Sequence, residues 1–394
     1  MSGRTFVGYE RPRGRPGVRN YVLILPTVSC SLGLSELALR KAAEELGRDR
    51  VKLARNLHGC GQAGEDLEQT TRTLVNTALN PNVYAAIVVS LGCESVDADR
   101  VADEIAREKP AELVRIQDLG YSAALERVRG LARRFAEEAS RVRRSEFDVS
   151  ELVVGLECGG SDYTSGLVSN PLVGMVSDMI VSAGGSTIIS EVPEFIGAEH
   201  LYARRAVSEE VRKQVLEAVR SFEEWLKREA RVDFRGAQPS PGNIAGGITT
   251  IEEKSLGAVK KSGTAPVSGV LKYAERLGDR RGHFLMVTPG YDIESVTGMV
   301  AGGAQLVLFT TGRGTPTGHA VAPVIKITAN PETYRRMHEF IDYDASPVLE
   351  GSKSFEEAAR ELFELVLRVA SGERTKAELL GQDDFGIFRI GPTF

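Results

Sequence analysis

The sequence predicts an α/β protein made of two Rossmann-like domains with mainly parallel sheets. Short runs of β-branched and aliphatic residues alternate with longer amphipathic stretches, which is the pattern of consecutive βαβ units. The alternation restarts near residue 151, after the charge-rich segment RRFAEEASRVRRSEFD. We therefore expect one α/β domain over residues 1–145 and a C-terminal α/β domain with glycine-rich loops over 146–394.

The first domain is predicted from four pairs of a strand and a helix. YVLIL and AAIVVS are continuous apolar runs of the kind found in strands that are covered on both faces. Each predicted strand is followed by a stretch with helical periodicity. The strands cover 21–25, 51–57, 85–90 and 113–117, and the helices cover 35–46, 65–79, 97–108 and 121–144.

The second domain repeats this alternation with longer loops between the elements. The segment GAQPSPGNIAGG at 236–247 is rich in glycine and proline, so we expect it to be a loop. The predicted strands cover 152–156, 186–190, 284–287 and 306–310, and the helices cover 171–183, 208–231 and 355–371.

Composition excludes several classes of protein. Hydrophobic residues make up 42% of the 394 residues, which is too high for a disordered chain. A formal net charge of -5 provides no basic surface for DNA or RNA, and no apolar run is long enough to span a membrane. The 4 cysteines are too few for a disulfide framework, and no apolar signal segment follows the N-terminus. We therefore expect a cytoplasmic protein that binds neither nucleic acid nor membrane.

All four cysteines follow predicted strands, where the carboxyl ends of a parallel sheet line a binding crevice. Three of them have polar neighbours, and the resulting group is Cys60, Cys93 and Cys158 with His58, Glu94 and Asp162. Thiolate, imidazole and carboxylate ligands together suit iron, zinc or an iron–sulfur cluster. The spacings contain no CxxC, and cysteine is also common as a small buried apolar residue. The sequence leaves metal binding open.

Two loops of the second domain carry further candidates. EVPEFIGAEH places Glu199 and His200 after a predicted strand, where they suit acid–base chemistry or metal ligation. NIAGGITTIEEKSLG places Thr249, Thr250 and Lys254 at a predicted helix start that could hold a carboxylate or phosphate. Both loops are equally compatible with charged, capped helix starts that have no ligand.

A glycine-rich run after the strand at 306–310 completes the set. Thr310, Thr311 and Arg313 have the character of an anion-binding loop, because arginine grips carboxylates with two hydrogen bonds. No GxGxxG follows a strand and no P-loop is present, so we expect no nucleotide cofactor. His283 and His338 stand in polar contexts, and we expect both at the surface.

Eight segments together resemble the altronate/galactarate dehydratase family, which also includes the large subunits of sulfolactate sulfo-lyases. The resemblance runs from about Gly8 to Glu350. The segments, in chain order, are GYERPRGRPGVRN, HGCGQ, LGCES, LECGGSD, EVPEFIGAEH, NIAGGITTIEEKSLGA, TPGYDIESVTGMVAGGAQLVLFTTGRGTPTG and APVIKITANPETYRRM.

This resemblance implies a metal-dependent hydro-lyase acting on a sugar acid such as altronate or galactarate, with Fe(II) or Mn(II) as its metal. Full-length members carry a small β-rich domain before the segment that begins GYERPRG. The resemblance therefore implies a large subunit that works with a separate small subunit, in an assembly larger than a monomer. A sulfolactate sulfo-lyase, an iron–sulfur enzyme and a non-catalytic binding subunit remain alternatives.

The implied dehydration needs a metal site, an acid–base pair and a carboxylate site. For the metal we assign the side chains of Cys60, Cys93, Glu94, Cys158 and Asp162. The catalytic candidates are His58, Glu199 and His200. The candidates for substrate binding are Thr249, Thr250, Lys254, Thr310, Thr311 and Arg313.

Overall fold

Two parallel sheets and a small antiparallel ribbon organise the chain, so the predicted α/β class is confirmed. The computed structural model describes residues 4–47 and 49–394. Its strands are β1 (Thr5–Tyr9), β2 (Tyr21–Pro26), β3 (Val51–Leu53), β4 (Val83–Ser90), β5 (Ala111–Arg115), β6 (Arg144–Asp148), β7 (Val153–Cys158), β8 (Ser186–Ile189), β9 (Val267–Leu271), β10 (Gly282–Met286), β11 (Leu306–Thr310), β12 (Val324–Thr328) and β13 (Tyr343–Asp344).

Helices fill the connections between the parallel strands, as right-handed crossovers require. They are α1 (Leu32–Leu46), α2 (Gly64–Leu79), α3 (Ala98–Ala106), α4 (Ile116–Leu119), α5 (Tyr121–Ala139), α6 (Asn170–Ser182), α7 (Glu199–Ala203), α8 (Glu209–Trp225), α9 (Phe234–Ala237), α10 (Pro241–Ala245), α11 (Ile251–Lys260), α12 (Asp292–Ala301), α13 (Pro331–Met337), α14 (Ser346–Leu349), α15 (Phe355–Ala370) and α16 (Lys376–Leu380). Within the described ranges, none of them has the length and apolarity that crossing a bilayer demands.

The smaller sheet has the strand order β3-β2-β4-β5, and its pairs are all parallel. Successive side chains of its central strands point to opposite faces of the sheet, and both faces are buried. This explains why the sequences of these strands are continuously apolar. On one face, Val22 and Ile24 pack in a cluster with residues of α1 and α5. On the other face, Leu23 and Leu25 join a second cluster that includes residues of α2.

The larger sheet has the order β13-β12-β11-β7-β8-β10-β9, also parallel throughout. One face packs against α6 and α15, and its cluster includes Leu156 and Leu308. The other face, with Val153 and Val307, packs against α12 and belongs to the same cluster as Leu23 of the smaller sheet. Because α2 packs on α12, the two sheets share one apolar core.

Three local predictions need correction. The helix predicted over 121–144 ends at Ala139, and Arg144 already belongs to β6, which pairs antiparallel with β1. The predicted loop at 236–247 contains α9 and α10, and α10 begins at a capping box between Ser240 and Asn243. His283 is buried in β10, where its ring contacts the hydroxyls of Thr187 and Tyr202. Hydroxyl partners of this kind let a polar side chain enter an apolar core.

The C-terminal segment ties the two sheets together through hydrogen bonds on both sides. Lys52 Nζ of β3 donates to Asp383, and Gly318 N, in the loop between β11 and β12, donates to Asp384. Nearby, Arg19 and Glu378 form a buried ion pair with a distance of 2.7 Å between Nε and Oε1. Tyr21 donates to the same carboxylate. The pair joins the segment before β2 to α16.

Glu378→Gln should therefore lower the free energy of unfolding by about 3 kcal/mol, because it leaves the buried Arg19 without its counter-charge. Arg19 holds the pKa of Glu378 below its usual value against the opposing effect of burial. This stabilisation is therefore present above the unfolded-state pKa of about 4.3 and is lost as the pH falls through the lower folded-state value. Urea unfolding at neutral and acidic pH measures both effects.

The control for this substitution is Glu126→Gln, which removes an exposed partner of Arg129. We expect its unfolding free energy to stay within about 0.5 kcal/mol of the wild type. Equal losses in the two variants would contradict the importance of the buried pair.

Candidate functional site

The candidate site lies at the carboxyl edge of the larger sheet, where three neighbouring strands end. Cys158 is the last residue of β7, and Glu191 and Glu194 lie in the turn after β8. Asp292 begins α12, which follows β10. Because neighbouring parallel strands end at one edge, these side chains converge although they are far apart in sequence.

A buried thiol, two carboxylates and an ammonium form the centre of this site. Lys261 Nζ lies 2.9 Å from Cys158 Sγ and contacts the carboxylate of Glu191. Cys158 Sγ donates to Glu194 Oε2 at 3.0 Å, and the same carboxylate lies 3.6 Å from Lys261 Nζ. The ammonium of Lys261 therefore supplies the positive charge that the two acids need inside the protein.

Helix α11 brings a second lysine to the same acids. Lys254 and Lys261 are seven residues apart, which is two helical turns, so they share one side of the helix axis. Lys254 Nζ lies 3.2 Å from Glu194 Oε1. The helix approaches closely because Gly257 packs against the backbone of Gly166. A Cβ at Gly257 would lie only 3.1 Å from the Cα of Gly166, so a side chain there would push the helix and its lysines away from the carboxylates.

The groups of this cluster titrate away from their ordinary ranges. Burial raises the pKa of the Cys158 thiol far above its usual value, and the charges of Glu191 and Glu194 add to the effect. Burial, assisted by Glu194, also raises the pKa of Glu191 to about 7. Burial opposes the ionisation of Glu194, but Lys254 and Lys261 keep its pKa below the usual value. The thiol is therefore neutral and Glu194 is ionised at neutral pH.

The backbone of Glu191 is strained at this point. Its φ of 64° lies in the left-handed region, which is uncommon for a residue with a side chain. Hydrogen bonds on both sides hold it there: the Cys158 backbone N–H donates to Glu191 Oε2, and Thr288 Oγ1 accepts the N–H of Glu191. The surrounding structure therefore stabilises a costly conformation that aims the carboxylate at Lys261.

Three carboxylates form a second close group beside the first. Oxygen atoms of Glu157, Glu191 and Asp292 lie within 4.8 Å of one another. Glu157 Oε2 accepts hydrogen bonds from Ser190 and Ser295, whereas Oε1 of Glu157 and Oε1 of Glu191 are buried without a partner. Buried oxygens without partners are costly. Either a shared proton or a bound cation would satisfy them, and an all-oxygen set suits a hard divalent cation.

The amine of Lys326 on β12 is buried and has no hydrogen-bond partner among the residues that the structure describes. Its Nζ lies 3.2 Å from the centroid of the Phe309 ring. Burial lowers the pKa of Lys326 to about 7, although Asp292 and Glu157 favour the charged form. Burial also raises the pKa of Asp292 to about 6. The site thus holds an amine and a carboxyl group that both change protonation near neutral pH.

A crevice with a volume of about 830 Å³ lies beside the cluster. Its walls include Asp162, Tyr163, Arg313, Asn330 and Arg336. Asp162 and Tyr163 also line a cavity of about 30 Å³ that reaches Cys158, Glu194 and Lys254. The crevice is large enough for a six-carbon acid and adjoins the buried groups through this shared wall.

The residues predicted for substrate binding have three different surroundings. Arg313 lines the crevice and donates to Gly242 O, and Lys254 belongs to the buried cluster. Thr310 and Thr311 are buried, where their hydroxyls bond to Asn170 and Gly314. Thr249 and Thr250 are exposed and bond to Glu253 at the start of α11. Thr249 and Thr250 therefore match the alternative prediction, a capped helix start without a ligand.

The predicted metal ligands are divided between the strand ends of the two sheets. Cys60 and Cys93 are exposed on the loops after β3 and β4. Glu94 accepts from the Gly92 N–H, and Asp162 organises its own loop by accepting from Thr164 and Asn330. Among the described residues, the close groups of potential metal ligands contain Cys158 and none of these other four.

The predicted catalytic residues also lie outside the close groups found in the described ranges. Glu199 accepts from the Gly197 N–H, and His200 is exposed on α7. His58 Nε2 lies 3.2 Å from Ile387 O in the C-terminal segment. Burial, with a contribution from Arg389, lowers the pKa of His58 below its usual value.

The site contains groups that the predicted site residues do not include. They are the buried Glu157, Glu191, Glu194, Lys261 and Lys326 and the half-buried Asp292. One sequence signal pointed to Lys326, since a lysine within the apolar run VIKIT must either lie at an edge or be buried. Lys261 had no such signal. In KKSG it resembles an ordinary solvated lysine at a helix end.

Comparison with known proteins supports the resemblance over nearly the whole chain. Residues 149–393 match the family described as D-galactarate/altronate dehydratase, C-terminal. Residues 8–140 match D-galactarate dehydratase/altronate hydrolase, second domain.

Three relatives illustrate the range of this similarity. Altronate dehydratase of Bacillus subtilis (strain 168) is 37% identical, over 99% of this chain and 78% of the relative. The (2R)-sulfolactate sulfo-lyase subunit beta of Chromohalobacter salexigens is 38% identical, over 99% and 98%. Galactarate dehydratase (L-threo-forming) of Escherichia coli (strain K12) is 35% identical, over 95% and 74%. The chain belongs to the D-galactarate/altronate dehydratase family.

Proposed function

We propose that this chain is the catalytic component of a hydro-lyase that dehydrates a sugar acid such as altronate or galactarate to a 2-keto-3-deoxy acid. The observation that supports this most is the buried amine of Lys326, which has no hydrogen-bond partner among the described residues and interacts electrostatically with Asp292 and Glu157. A crevice that carries Arg313 adjoins the buried cluster of Cys158 and Glu194 through Asp162 and Tyr163. The relatives named altronate and galactarate dehydratase support the substrate class.

The reaction sets three requirements for the protein. A base must remove the weakly acidic proton α to the substrate carboxylate, and positive charge must stabilise the enediolate that forms. An acid must then protonate the departing β-hydroxyl. The resulting enol gains a proton at carbon and becomes the keto acid, so the net loss is one water.

We assign the base to Lys326. Its amine is buried, has no hydrogen-bond partner and has a pKa lowered to about 7 by burial, so a large fraction is neutral at physiological pH. A neutral amine with a free lone pair can accept a carbon-bound proton, and lysine takes this role when burial lowers its pKa.

The substrate carboxylate would be held by Arg313, whose guanidinium lines the crevice. Lys254 and Lys261 add positive charge on the inner side, next to Cys158 and Glu194. Thr311 supports the loop that carries Arg313, because its hydroxyl accepts the N–H of Gly314, whereas the Thr310 hydroxyl bonds to Asn170 on α6. In this arrangement the α-carbon would face the buried cluster, and the far end of the substrate would lie in the crevice.

A divalent cation, Fe(II) or Mn(II), fits the carboxylates of Glu157, Glu191 and Asp292, two of which have buried oxygens without partners. When bound, such a cation would polarise the substrate oxygens and stabilise negative charge on them. An iron–sulfur cluster has less support, since no close group of ligands in the described ranges contains two cysteines.

A C–S lyase acting on sulfolactate is the second candidate. The relative named (2R)-sulfolactate sulfo-lyase subunit beta is as similar to this chain as the dehydratases are. The same α-proton removal would serve, with sulfite leaving in place of hydroxide. The word subunit in that name also supports our proposal that a separate small subunit assembles with this chain.

An assay of purified protein tests both candidates. The chain, prepared anaerobically with Fe(II) or Mn(II), is incubated with altronate, galactarate or sulfolactate, with and without a small subunit. We expect a 2-keto-3-deoxy acid from a sugar acid, whereas sulfite release would favour the second candidate. No turnover with any metal and with the small subunit present would contradict both and favour a binding subunit.

Lys326→Met should lower kcat by about 10²–10⁴-fold, because it removes the proposed base. It should also raise the free energy of unfolding by about 1–3 kcal/mol, because an unpartnered buried polar atom is removed. In the wild type, kcat/KM should rise as the pH passes about 7 and Lys326 loses its proton. Asp292, Glu157, Asp342 and Asp384 face this amine and oppose that loss, but burial outweighs them.

Lys213→Met, on the exposed side of α8, is the matched control and should change neither quantity. Full activity in Lys326→Met would eliminate Lys326 as the base. A joint loss of activity and stability would instead indicate a packing role.

A thiol titration distinguishes the two possible sets of metal ligands. The exposed Cys30, Cys60 and Cys93 should react with a disulfide reagent in the native protein, and Cys158 only after unfolding. If carboxylates hold the cation, Mn(II) should leave these rates unchanged. Glu157→Gln should then weaken Mn(II) binding by more than about tenfold, a loss seen even for groups that only support a ligand.

Protection of Cys60 and Cys93 by Mn(II) would favour the ligands predicted from the sequence. The matched control is Cys60→Ser, which should bind Mn(II) as the wild type does if the carboxylates are the ligands.

A further inference from the structure

A second cavity, with a volume of about 800 Å³, lies at the opposite edge of the sheets from the candidate site. Residues 10–15, from the motif GYERPRGRPG, form one wall. Val83 at the start of β4 and Val153 at the start of β7 form others, together with Gly302 and Gly303 before β11. Both sheets therefore contribute to the cavity, and the proposed reaction makes no use of it.

The cavity is strongly cationic although the whole chain has a net charge of -5. Its walls carry twice as many basic as acidic side chains. The basic ones are Arg11, Arg13, Arg15, Lys109, Arg143 and Arg276, and the acidic ones are Glu10, Glu108 and Asp279. Arg276 pairs with Glu108 and Arg143 lies 3.9 Å from Glu10, which leaves most of the other positive charge unpaired.

Among the described residues, the side chains of Arg11 and Lys109 donate to backbone carbonyls and to no side chain. Arg11 Nε lies 2.7 Å from Pro81 O, and Lys109 Nζ lies 2.7 Å from Val83 O and 2.9 Å from Asn80 O. Carbonyls orient these cations but do not neutralise them. In the part of the chain that the structure describes, neither has a carboxylate within 4.0 Å.

Arg15 adds the observation that points most directly to a ligand. It is only 8% exposed, and its terminal nitrogens donate to Ser150 O and Arg280 O. Its Nε is buried and has no partner within residues 4–47 and 49–394. A buried N–H of a charged group that has no acceptor destabilises the protein. A bound anion would accept this hydrogen bond and remove the penalty.

Burial also disfavours the charged forms of these basic side chains. It lowers the pKa of Arg11 to about 10 and that of Lys109 far below the usual value. Several cations held at one cavity repel one another, so their retention calls for a compensating negative charge.

We propose that this cavity binds a small oxyanion with more than one negative charge, of the phosphate or polycarboxylate class, between the two sheets. Phosphate esters and polycarboxylic acids share the chemistry that arginine and lysine recognise. The bound anion would stabilise the junction of the two sheets, since both contribute to the walls.

Isothermal titration with inorganic pyrophosphate and with tricarballylate, each compared with sodium chloride at equal ionic strength, tests the site and separates the two sources. We expect one of them to bind with a single site and to raise Tm, which chloride does not. Arg13→Gln removes an exposed wall charge and should weaken this binding at least about tenfold. Adding Lys109→Gln should abolish it.

Two control variants test whether the anion binds in this cavity. Arg360→Gln, an exposed change on α15, should bind as the wild type does. Arg313→Gln alters the crevice and should also leave the binding unchanged. The proposal is overturned if neither anion binds, if Arg13→Gln has wild-type affinity, or if Arg313→Gln removes the binding.

Discussion

The buried ammonium of Lys261 is the interaction on which the candidate site depends. It joins Cys158 at the end of β7 to Glu191 in the strained turn after β8, from its position at the end of α11. Each of these groups alone would destabilise the interior, since an unpaired buried charge costs several kcal/mol. Together they form a partly neutralised cluster, and this mutual dependence fixes where α11 lies.

The parallel topology explains why such a cluster forms at this edge. A parallel sheet covered on both faces has apolar strands, so its polar chemistry is confined to the loops at the strand ends. With β8 between β7 and β10, the ends of three adjacent strands bring carboxylates and hydroxyls to one place. Glycine at 159 keeps the space open, because a Cβ there would collide with the Asp292 carboxylate.

Local pattern was enough to predict most of the fold. The strand expected at 306–310 is β11 itself, since a short apolar run between glycine-containing turns is typical of a buried strand. The site was harder to predict because its pairs are set by packing. Glu157 alternates with apolar neighbours in β7 and Lys261 resembles a solvated helix end, so neither suggests a buried partner. Cys30, Cys60 and Cys93 follow strands as predicted, and Cys158 is the last residue of β7. The strand pattern does not show, however, that these strands belong to two different sheets.

Helix α12 gives the two ends of the molecule a common element. Its first residue, Asp292, contributes a carboxylate to the candidate site, and Gly302 and Gly303, directly after its last turn, line the cationic cavity. Ten residues make the helix about 15 Å long, and it packs along α2 in the core shared by both sheets. A packed helix moves as a rigid body, so any displacement along its axis changes the carboxylate group and the cavity wall together.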